Sequence, residues 1–365
     1  MDQFERLLQT AVEHGASDIH LKAGSAPLLR IARELRTVET PAFTEEQLRQ
    51  FVGEILPAHF RDCFERDHEA DFSYHAEGIG RFRVNIFHQR GALALAMRHV
   101  KTRIPTFEEL GLPAGTLQAI AAARSGIVLL AGAAGSGKST TLAALVEHIN
   151  QTARKHIVTL EDPIEYLFED KQSVIEQREI GLDTASFEAA LRHIIRQDPD
   201  VIMIGEMRDA ASFMAGLHAA DTGHVVLTTL HANSAPQAVD RILDFFPSRE
   251  REPIRRQLGV TLNAILCQRL VGARRGGVLP AVEILRTNGT VRKLFEDDQL
   301  ERLGAAIESG GDDSMQTFNQ ALYKLVKNGR ITEQEALAKS TNPQQLSMNL
   351  SGIFLDESRK IMAST

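Results

Sequence analysis

The sequence has little cysteine, no long apolar run and no excess of basic charge, and each shortage disfavours a class of protein. Its two cysteines, Cys63 and Cys267, stand far apart without CxxC spacing, which argues against a disulfide framework or a structural zinc site. No stretch approaches the roughly 18 apolar residues that a membrane-spanning helix needs. The 48 acidic residues outnumber the 41 basic ones, which disfavours a dedicated nucleic-acid-binding protein, and no nucleic-acid partner is expected.

The first residues, MDQFERLLQT, are acidic and amphipathic, so they do not resemble a signal peptide. We therefore expect a cytoplasmic protein, which could still work beside a membrane if a partner recruits it. The chain of 365 residues is longer than one typical domain of roughly 100–200 residues, so two domains are expected.

Residues 1–100 have the pattern of a small α+β domain. Residues 44–64 form a helical pattern that starts with a capping box of Thr44 and Gln47. In GRFRVNIF, apolar and polar residues alternate as in a half-buried strand, and a second strand follows the turn at Gly91. A first helix is predicted where apolar residues recur at helical spacing, namely Phe4, Leu7, Leu8 and Val12.

The segment 101–113, with two prolines, is predicted to be a linker, and the pattern changes after it. Short apolar runs alternate with helical stretches; the runs are GIVLLA, HIVTL, VIMIG, HVVLTTL and PAVEIL. Such runs predict an α/β domain with a parallel sheet buried on both faces, over residues 114–285. Residues 286–365 are predicted to form a C-terminal helical region.

A phosphate-binding loop is the strongest motif in the sequence. Residues 132–139 read G-x-x-x-x-G-K-S, follow an apolar strand and open a helix, which is the context this motif requires. Its backbone N–H groups and the helix N-terminus are suited to phosphate. Lys138 would neutralise the β and γ phosphates of ATP, and the Ser139 hydroxyl would bind Mg²⁺.

Acidic residues follow two of the predicted strands. Glu161, Asp162 and Glu165 come after one strand, and Glu206 comes directly after another. The carboxyl ends of parallel strands meet at one edge of a sheet, so the first two acids and Glu206 can converge with the loop. Glu161 would help Ser139 to hold Mg²⁺. The alternative is that these carboxylates cap helices or face water.

Two histidines bracket a third predicted strand. His224 and His231 are seven residues apart, over about 20 Å in a straight strand, so we expect them at opposite ends and without a shared metal. His231 lies at the nucleotide end, where it could sense the γ-phosphate, contact a neighbouring subunit or have no catalytic role.

Arginines recur in and around the strands of the first domain, at Arg81, Arg83, Arg90 and Arg98. They could form a solvated strand face. They could also include an arginine finger, because planar guanidinium donors stabilise the charge of a phosphoryl-transfer transition state.

Several segments together resemble the type IV pilus retraction ATPases, the PilT/PilU family of the secretion ATPase superfamily. The resemblance covers nearly the whole chain and is carried by GASDIHL, GRFRVN, GAAGSGKSTTLA, LEDPIEY, RQDPDVIMIGEMRD, TGHVVLTTLHANSA and DRILDFFP. It implies a hexameric ring whose chains have a small PAS-like N-terminal domain and a RecA-like ATPase domain. It also implies ATP and Mg²⁺, and a partner at the inner-membrane pilus platform.

The resemblance also implies roles for individual residues. The loop of the family is matched by Gly132, Ala133, Ala134, Gly135, Ser136, Gly137, Lys138, Ser139 and Thr140. Its acidic box is matched by Glu161, Asp162 and Glu165, and its histidine box by His224 and His231. Glu206, after Gly205, matches the catalytic glutamate. Nucleotide-facing arginines of the family are matched by Arg81, Arg83 and Arg98.

Two departures from the family pattern bear on the function. Ala133 and Ala134 replace a common Pro-Thr, at positions the loop motif leaves free. Residues 286–299 match only partly the C-terminal signature of the main PilT branch, and MQTFNQALYKL with ITEQEAL is closer to the accessory PilU branch. The chain is thus expected to be a retraction motor, either primary or accessory, and a paralogous ATPase could be a partner.

Two other functions are compatible with these patterns. One is a nucleotide-dependent regulatory ring subunit with little turnover of its own, against which the intact Lys138, Ser139 and Glu206 argue. The other is a DNA-translocating RecA-like enzyme, which the acidic balance disfavours.

Overall fold

The computed structural model describes residues 3–32 and 34–354, and the chain divides into two compact units. The first unit comprises the chain up to Arg103 together with Pro163–Leu167. The second comprises Ile104–Asp162 and the chain from Phe168 onward.

The first unit is an antiparallel sheet with helices. Its described strands are β1 Asp18–Lys22, β2 Leu28–Ile31, β3 Glu34–Thr37, β4 Glu69–Ala76, β5 Gly80–Gln89 and β6 Ala92–His99. Its helices are α1 Gln3–Glu13, α2 Glu45–Ile55 and α3 Ala58–Asp67. Among the described residues the six strands lie in the order β3-β2-β1-β6-β5-β4.

The alternation predicted for β5 is confirmed. Phe82, Val84 and Ile86 are buried in the core of this unit, whereas Arg83 between them is exposed. The predicted first helix is α1, and Thr44 caps α2 in a capping box with Gln47 as predicted. The helical pattern over 44–64 is split into α2 and α3, because proline lacks an N–H and Pro57 begins a new helix as its N-cap.

The second unit surrounds a mostly parallel sheet with helices. Its strands are β7 Gly126–Ala131, β8 His156–Glu161, β9 Val174–Glu179, β10 Val201–Ile204, β11 Val225–Leu230, β12 Leu262–Gly272 and β13 Val278–Arg286. Its helices are α4 Phe107–Leu110, α5 Ala114–Ala121, α6 Lys138–Thr152, α7 Phe187–Ile194, α8 Ala210–Asp221, α9 Ala235–Asp244, α10 Ser248–Thr261, α11 Gly289–Glu296, α12 Leu303–Ser309, α13 Phe318–Lys327, α14 Glu333–Lys339 and α15 Pro343–Leu350. Within the described chain the strand order is β13-β12-β7-β11-β10-β8-β9.

The parallel sheet predicted from the apolar runs is confirmed for β7, β8, β10 and β11, which pair in parallel. Every residue of β7, β10 and β11 is buried, as expected for strands covered on both faces. The run PAVEIL is a correction. It lies in β13, which pairs with β12 in the antiparallel direction, so its place in a purely parallel sheet was wrong.

Two described strands of the second unit have no counterpart in the sequence pattern. β9 reads VIEQRE and is a half-polar edge strand, paired in parallel with β8. Along the chain, β12 lies between helix α10 and strand β13, and it pairs in parallel with β7. It therefore places residues 262–272 directly beside the strand that leads into the phosphate loop.

The segment predicted as a linker is more ordered than expected. Thr106 and Glu109 form a capping box on α4. Phe107 and Leu112 are buried in a core cluster of the second unit, so the chain belongs to that unit from Ile104. The excursion of Pro163–Leu167 into the first unit was not predicted; there the Leu167 N–H donates to the Lys101 carbonyl at 3.2 Å.

The chain after β13 is mainly helical in its described part. Asn328 and Gly329 end α13, and the Thr332 hydroxyl caps α14 by accepting from the Glu335 N–H. Residues 355–365 of the predicted C-terminal region lie outside the described residues. Of the helices in the described ranges, none combines the length and the apolar character that crossing a membrane requires.

Candidate active site

The phosphate loop joins β7 to α6, and two of its glycines are required by close packing. A Cβ on Gly132 would lie 2.6 Å from the Gln268 backbone oxygen. A Cβ on Gly137, which has a φ of 88°, would lie 2.7 Å from Nε2 of the Gln268 side chain. Both contacts are closer than a carbon atom allows, so the loop can follow this path only with glycine at these positions.

Lys138 lies beneath the loop as the first residue of α6. It is 8% exposed, and its Nζ donates to the carbonyl oxygens of Gly132 at 2.8 Å and Ala133 at 3.0 Å. Gly137 caps this helix without a side-chain hydrogen bond. The first N–H groups of a helix have no partner within the helix itself. A buried cation, a helix N-terminus and glycine backbone together favour a bound phosphate group.

Glu206 has two charged or chargeable partners. It follows β10 and lies 2.8 Å from Arg208 Nε through Oε2, and 3.2 Å from His231 Nε2 through Oε1. The backbone of the preceding Gly205 is held on both sides, since its N–H donates to the Leu160 carbonyl and its own carbonyl accepts from Thr229 Oγ1. The structure therefore brings together Glu206 and His231, which the sequence placed at the ends of separate strands.

Strand order sets how far each predicted residue lies from the loop. The loop follows β7, His231 follows β11, Glu206 follows β10 and Glu161 ends β8. At about 4.8 Å per strand, the strands bearing these three residues lie about 5, 10 and 14 Å from β7. The strands that precede His231 and Glu206 thus lie closer to the loop strand than the strand that ends at Glu161, and the predicted magnesium contact of Glu161 stays a prediction.

The predicted acidic box is divided by the fold. Glu161 is buried, and its Oε1 accepts from Thr159 Oγ1 at 2.7 Å and from Gln177 Nε2 at 3.0 Å. Asp162 is exposed at the end of the second unit's segment. Glu165 belongs to the first unit, so its predicted nucleotide contact stays a prediction.

The two histidines lie at opposite ends of β11, as expected from their spacing. His224 precedes β11 and so lies at the sheet edge opposite the phosphate loop. Its Nδ1 lies 2.9 Å from the Ala219 carbonyl and 3.1 Å from Thr222 Oγ1, where it fastens the end of α8. Within one chain, His224 therefore lies away from the phosphate loop, and its predicted nucleotide contact stays a prediction.

Three side chains that the sequence did not mark hold the site in place. Gln268 of β12 contacts the phosphate loop. Arg269, the next residue, donates to the Asn233 carbonyl at 3.1 Å and so fixes the segment that follows His231. Glu283 of β13 accepts from the Ala235 N–H at 2.8 Å, and burial raises the pKa of Glu283 although this bond lowers it. Strand β12, which carries Gln268 and Arg269, was not predicted, so no sequence signal pointed to these two residues.

Arg81, Arg83 and Arg98 share one face of the first unit's sheet. Arg83 of β5 lies directly opposite Arg98 of β6, and Arg81 lies two residues from Arg83 on the same side. Arg98 donates through Nε to Asp18 at 2.8 Å, while its side chain stays 66% exposed. Arg83 and Arg98, with Asp18, Asp71 and neighbouring residues, line a groove of about 280 Å³.

Comparison with known proteins agrees with this arrangement. Residues 2–290 match the family described as type II/IV secretion system protein. The chain belongs to this family. It is 39% identical to the type IV pilus ATPase PilU of Pseudomonas aeruginosa over 94% of this chain and 90% of that protein. It is 38% identical to the type IV pilus retraction ATPase PilT of the same organism, over 93% and 98%.

A solved structure of the family shares the fold. A crystal structure described as the pilus retraction motor PilT with bound ADP aligns with a TM-score of 0.88 and 41% identity, covering 95% of this chain and 99% of the other. This supports the predicted fold of an N-terminal domain followed by an ATPase domain. The near-equal identities to PilU and PilT do not separate the two branches of the family.

Proposed function

We propose that this chain is an ATP-hydrolysing motor that drives retraction of type IV pili and hence twitching motility. The observation that carries the proposal is the phosphate loop with Glu206 and His231 at the ends of neighbouring parallel strands, in a chain similar over its length to PilT and PilU. The motor works as a homohexamer at the inner face of the cytoplasmic membrane, against the pilus platform protein.

The residues of the loop bind the nucleotide. Lys138 neutralises the β and γ phosphates of ATP, and the N–H groups of Gly132 to Thr140 surround them. The exposed Ser139 hydroxyl and a nearby carboxylate are hard oxygen donors of the kind that Mg²⁺ prefers, so Mg²⁺ fits this site and would neutralise phosphate charge when bound. Strand order favours Glu206 over Glu161 as that carboxylate.

Glu206 is the proposed catalytic base. Its carboxylate would orient the attacking water and accept its proton, and a water-orienting group of this kind recurs in P-loop enzymes. His231, at 3.2 Å, holds Glu206 in position and would respond to loss of the γ-phosphate. Buried Glu161 and exposed Asp162 would extend the acidic edge on the β8 side.

The transition state needs a further cation. We propose that Arg81, Arg83 or Arg98 supplies it, either in the same chain or from a neighbouring copy in the ring. The three share one sheet face, and two are directly paired, which suits a cluster of charges offered to a phosphate group. Glu165, which belongs to the same unit, would take part in the same contact.

Steady-state ATP hydrolysis by the purified chain tests the proposal. Glu206→Gln should lower kcat about 100-fold or more while nucleotide still binds, because the amide cannot accept a proton. Glu147→Gln is the matched control, since the Glu147 side chain is also largely buried and paired with a cation, Lys171. Glu147 lies towards the far end of α6 from the phosphate loop. Normal turnover by Glu206→Gln would contradict the mechanism.

If the unmutated chain binds nucleotide but hydrolyses ATP only at the background rate, a regulatory ring subunit is favoured instead. Binding of DNA at low salt, where phosphate contacts are strongest, would favour a translocase. A deletion strain scored for twitching, with and without a paralogous ATPase, would separate a primary motor from an accessory one.

A further inference from the structure

Gln268 joins the phosphate loop to the helix that follows it. It lies on β12 and is 5% exposed. Its Nε2 donates to the Ser136 carbonyl at 2.8 Å, within the loop. Its Oε1 accepts from Thr141 Oγ1 at 2.8 Å, in the first turn of α6. Both ends of the amide are therefore bonded, one to the loop and one to the helix that the loop opens.

The bond to Ser136 fixes the direction of a phosphate-binding donor. The peptide group between Ser136 and Gly137 is planar and trans, so its C=O and N–H point in opposite directions. A carbonyl held towards Gln268 leaves the Gly137 N–H directed away from it. In a loop of this type the backbone N–H groups are the donors to phosphate. Gln268 thus controls one of these donors without touching the nucleotide.

Two of the loop's glycines fit around the same residue. Gly132 approaches the backbone oxygen of Gln268, and Gly137 approaches its side-chain amide, each too closely for a Cβ. The loop is therefore shaped against β12. A donor set held in the binding geometry before the ligand arrives loses less entropy on binding, which raises affinity.

We propose that Gln268 is a positioning residue for nucleotide phosphate, acting through the Ser136–Gly137 peptide group. The inference rests on the proposed nucleotide site, but it concerns binding and not turnover. It predicts that loss of the Gln268 amide weakens nucleotide binding by more than loss of an equally buried amide elsewhere.

The chain offers such an amide in Gln316. Gln316 is 9% exposed, its Nε2 donates to the Val282 carbonyl at 2.8 Å, and its Oε1 accepts from Lys324 Nζ at 3.2 Å. Like Gln268 it bonds a backbone carbonyl at one end and a side chain at the other. It bonds a strand carbonyl, however, and no residue of the phosphate loop.

The experiment compares Gln268→Met with Gln316→Met in the full chain. Affinity for a fluorescent ADP analogue and the thermal midpoint without nucleotide are measured for each. Gln268→Met should raise the Kd about tenfold, the effect of one lost hydrogen bond that orders a binding loop, while Gln316→Met should change it less than about twofold. Both should lower the thermal midpoint. Unchanged affinity in Gln268→Met, or equal weakening in both variants, would overturn the proposal.

Two further variants decide the matter if Gln268→Met does not fold. Thr141→Val removes only the hydroxyl that holds Gln268 and should raise the Kd about threefold, whereas Thr141→Ser keeps the hydroxyl and should bind as the wild type does. A Thr141→Val protein that binds with wild-type affinity contradicts the inference. If the wild type binds ADP but does not hydrolyse ATP, the proposed motor function fails and the role of Gln268 is still tested.

Discussion

The two sheets of this protein use polar residues in different ways. In β5 of the antiparallel sheet, polar and apolar residues alternate, so one face of the sheet carries Arg83 and its neighbours. In β7 of the parallel sheet every residue is buried. Leu129 belongs to one core cluster and Leu130 to another, so both faces of that sheet are covered.

This difference decides where chemistry can occur. A sheet covered on both faces has no room for polar side chains along its strands, so they gather where strands end. Glu206, His231 and the phosphate loop all follow strand ends in the second unit. In the first unit the polar residues lie along an open face, where they can offer charge to another surface.

Truncation of core residues gives the largest expected effects and tests the comparison directly. Leu129→Ala and Leu130→Ala should each lower the free energy of unfolding by about 2–5 kcal/mol, because the side chains of both leucines are buried. In β5 only alternate positions should respond: Ile86→Ala by a similar amount, and Arg83→Ala by less than about 0.5 kcal/mol. Chemical denaturation measures all four. A mild effect at Leu129 or Leu130 would mean that one face is not packed.

The next effect contrasts the two ends of the parallel strands. Lys138→Ala should weaken ADP binding about 100-fold, because it removes a buried cation from the phosphate site. Lys155→Ala is its control. Lys155 pairs with Asp200 at 2.9 Å, next to the amino ends of β8 and β10. Titration with a labelled nucleotide compares the two, and equal losses would show that the site is not confined to the carboxyl edge.

The smallest effect concerns pH and the open face of the first sheet. Burial raises the pKa of Asp18, but hydrogen bonds from Ser17 and Arg98 outweigh it and lower the pKa below its ordinary 3.8. Because the folded-state pKa is the lower one, the stabilisation is present above pH 3.8 and is lost as the pH falls through the lowered value. Asp18→Asn should lower stability by at most about 1 kcal/mol at pH 6, and the difference should vanish in acid. Denaturation at several pH values measures it; a constant difference would contradict this account.

The fold was predictable where local pattern and tertiary packing agree. Runs such as GIVLLA and VIMIG could be assigned to buried strands because no half-exposed strand tolerates so many consecutive apolar residues. β9 escaped prediction because its half-polar sequence is that of an edge strand. β12 escaped because nothing local distinguishes LNAILCQRLVG from a helix, and its pairing with β7 is a tertiary decision.

The sequence by itself determined the phosphate loop, since the motif of residues 132–139 is contiguous and lies between an apolar strand and a helix. It also determined that Glu161, Glu206 and His231 would lie at or just after the ends of strands. Strand order alone decided that β11 lies between β7 and β10, and so paired His231 with Glu206 and placed Glu161 farther away. Tertiary structure likewise brought Gln268 under the loop. These contacts join residues that are distant along the chain, and the local pattern of apolar and polar residues does not specify which strands pair with each other.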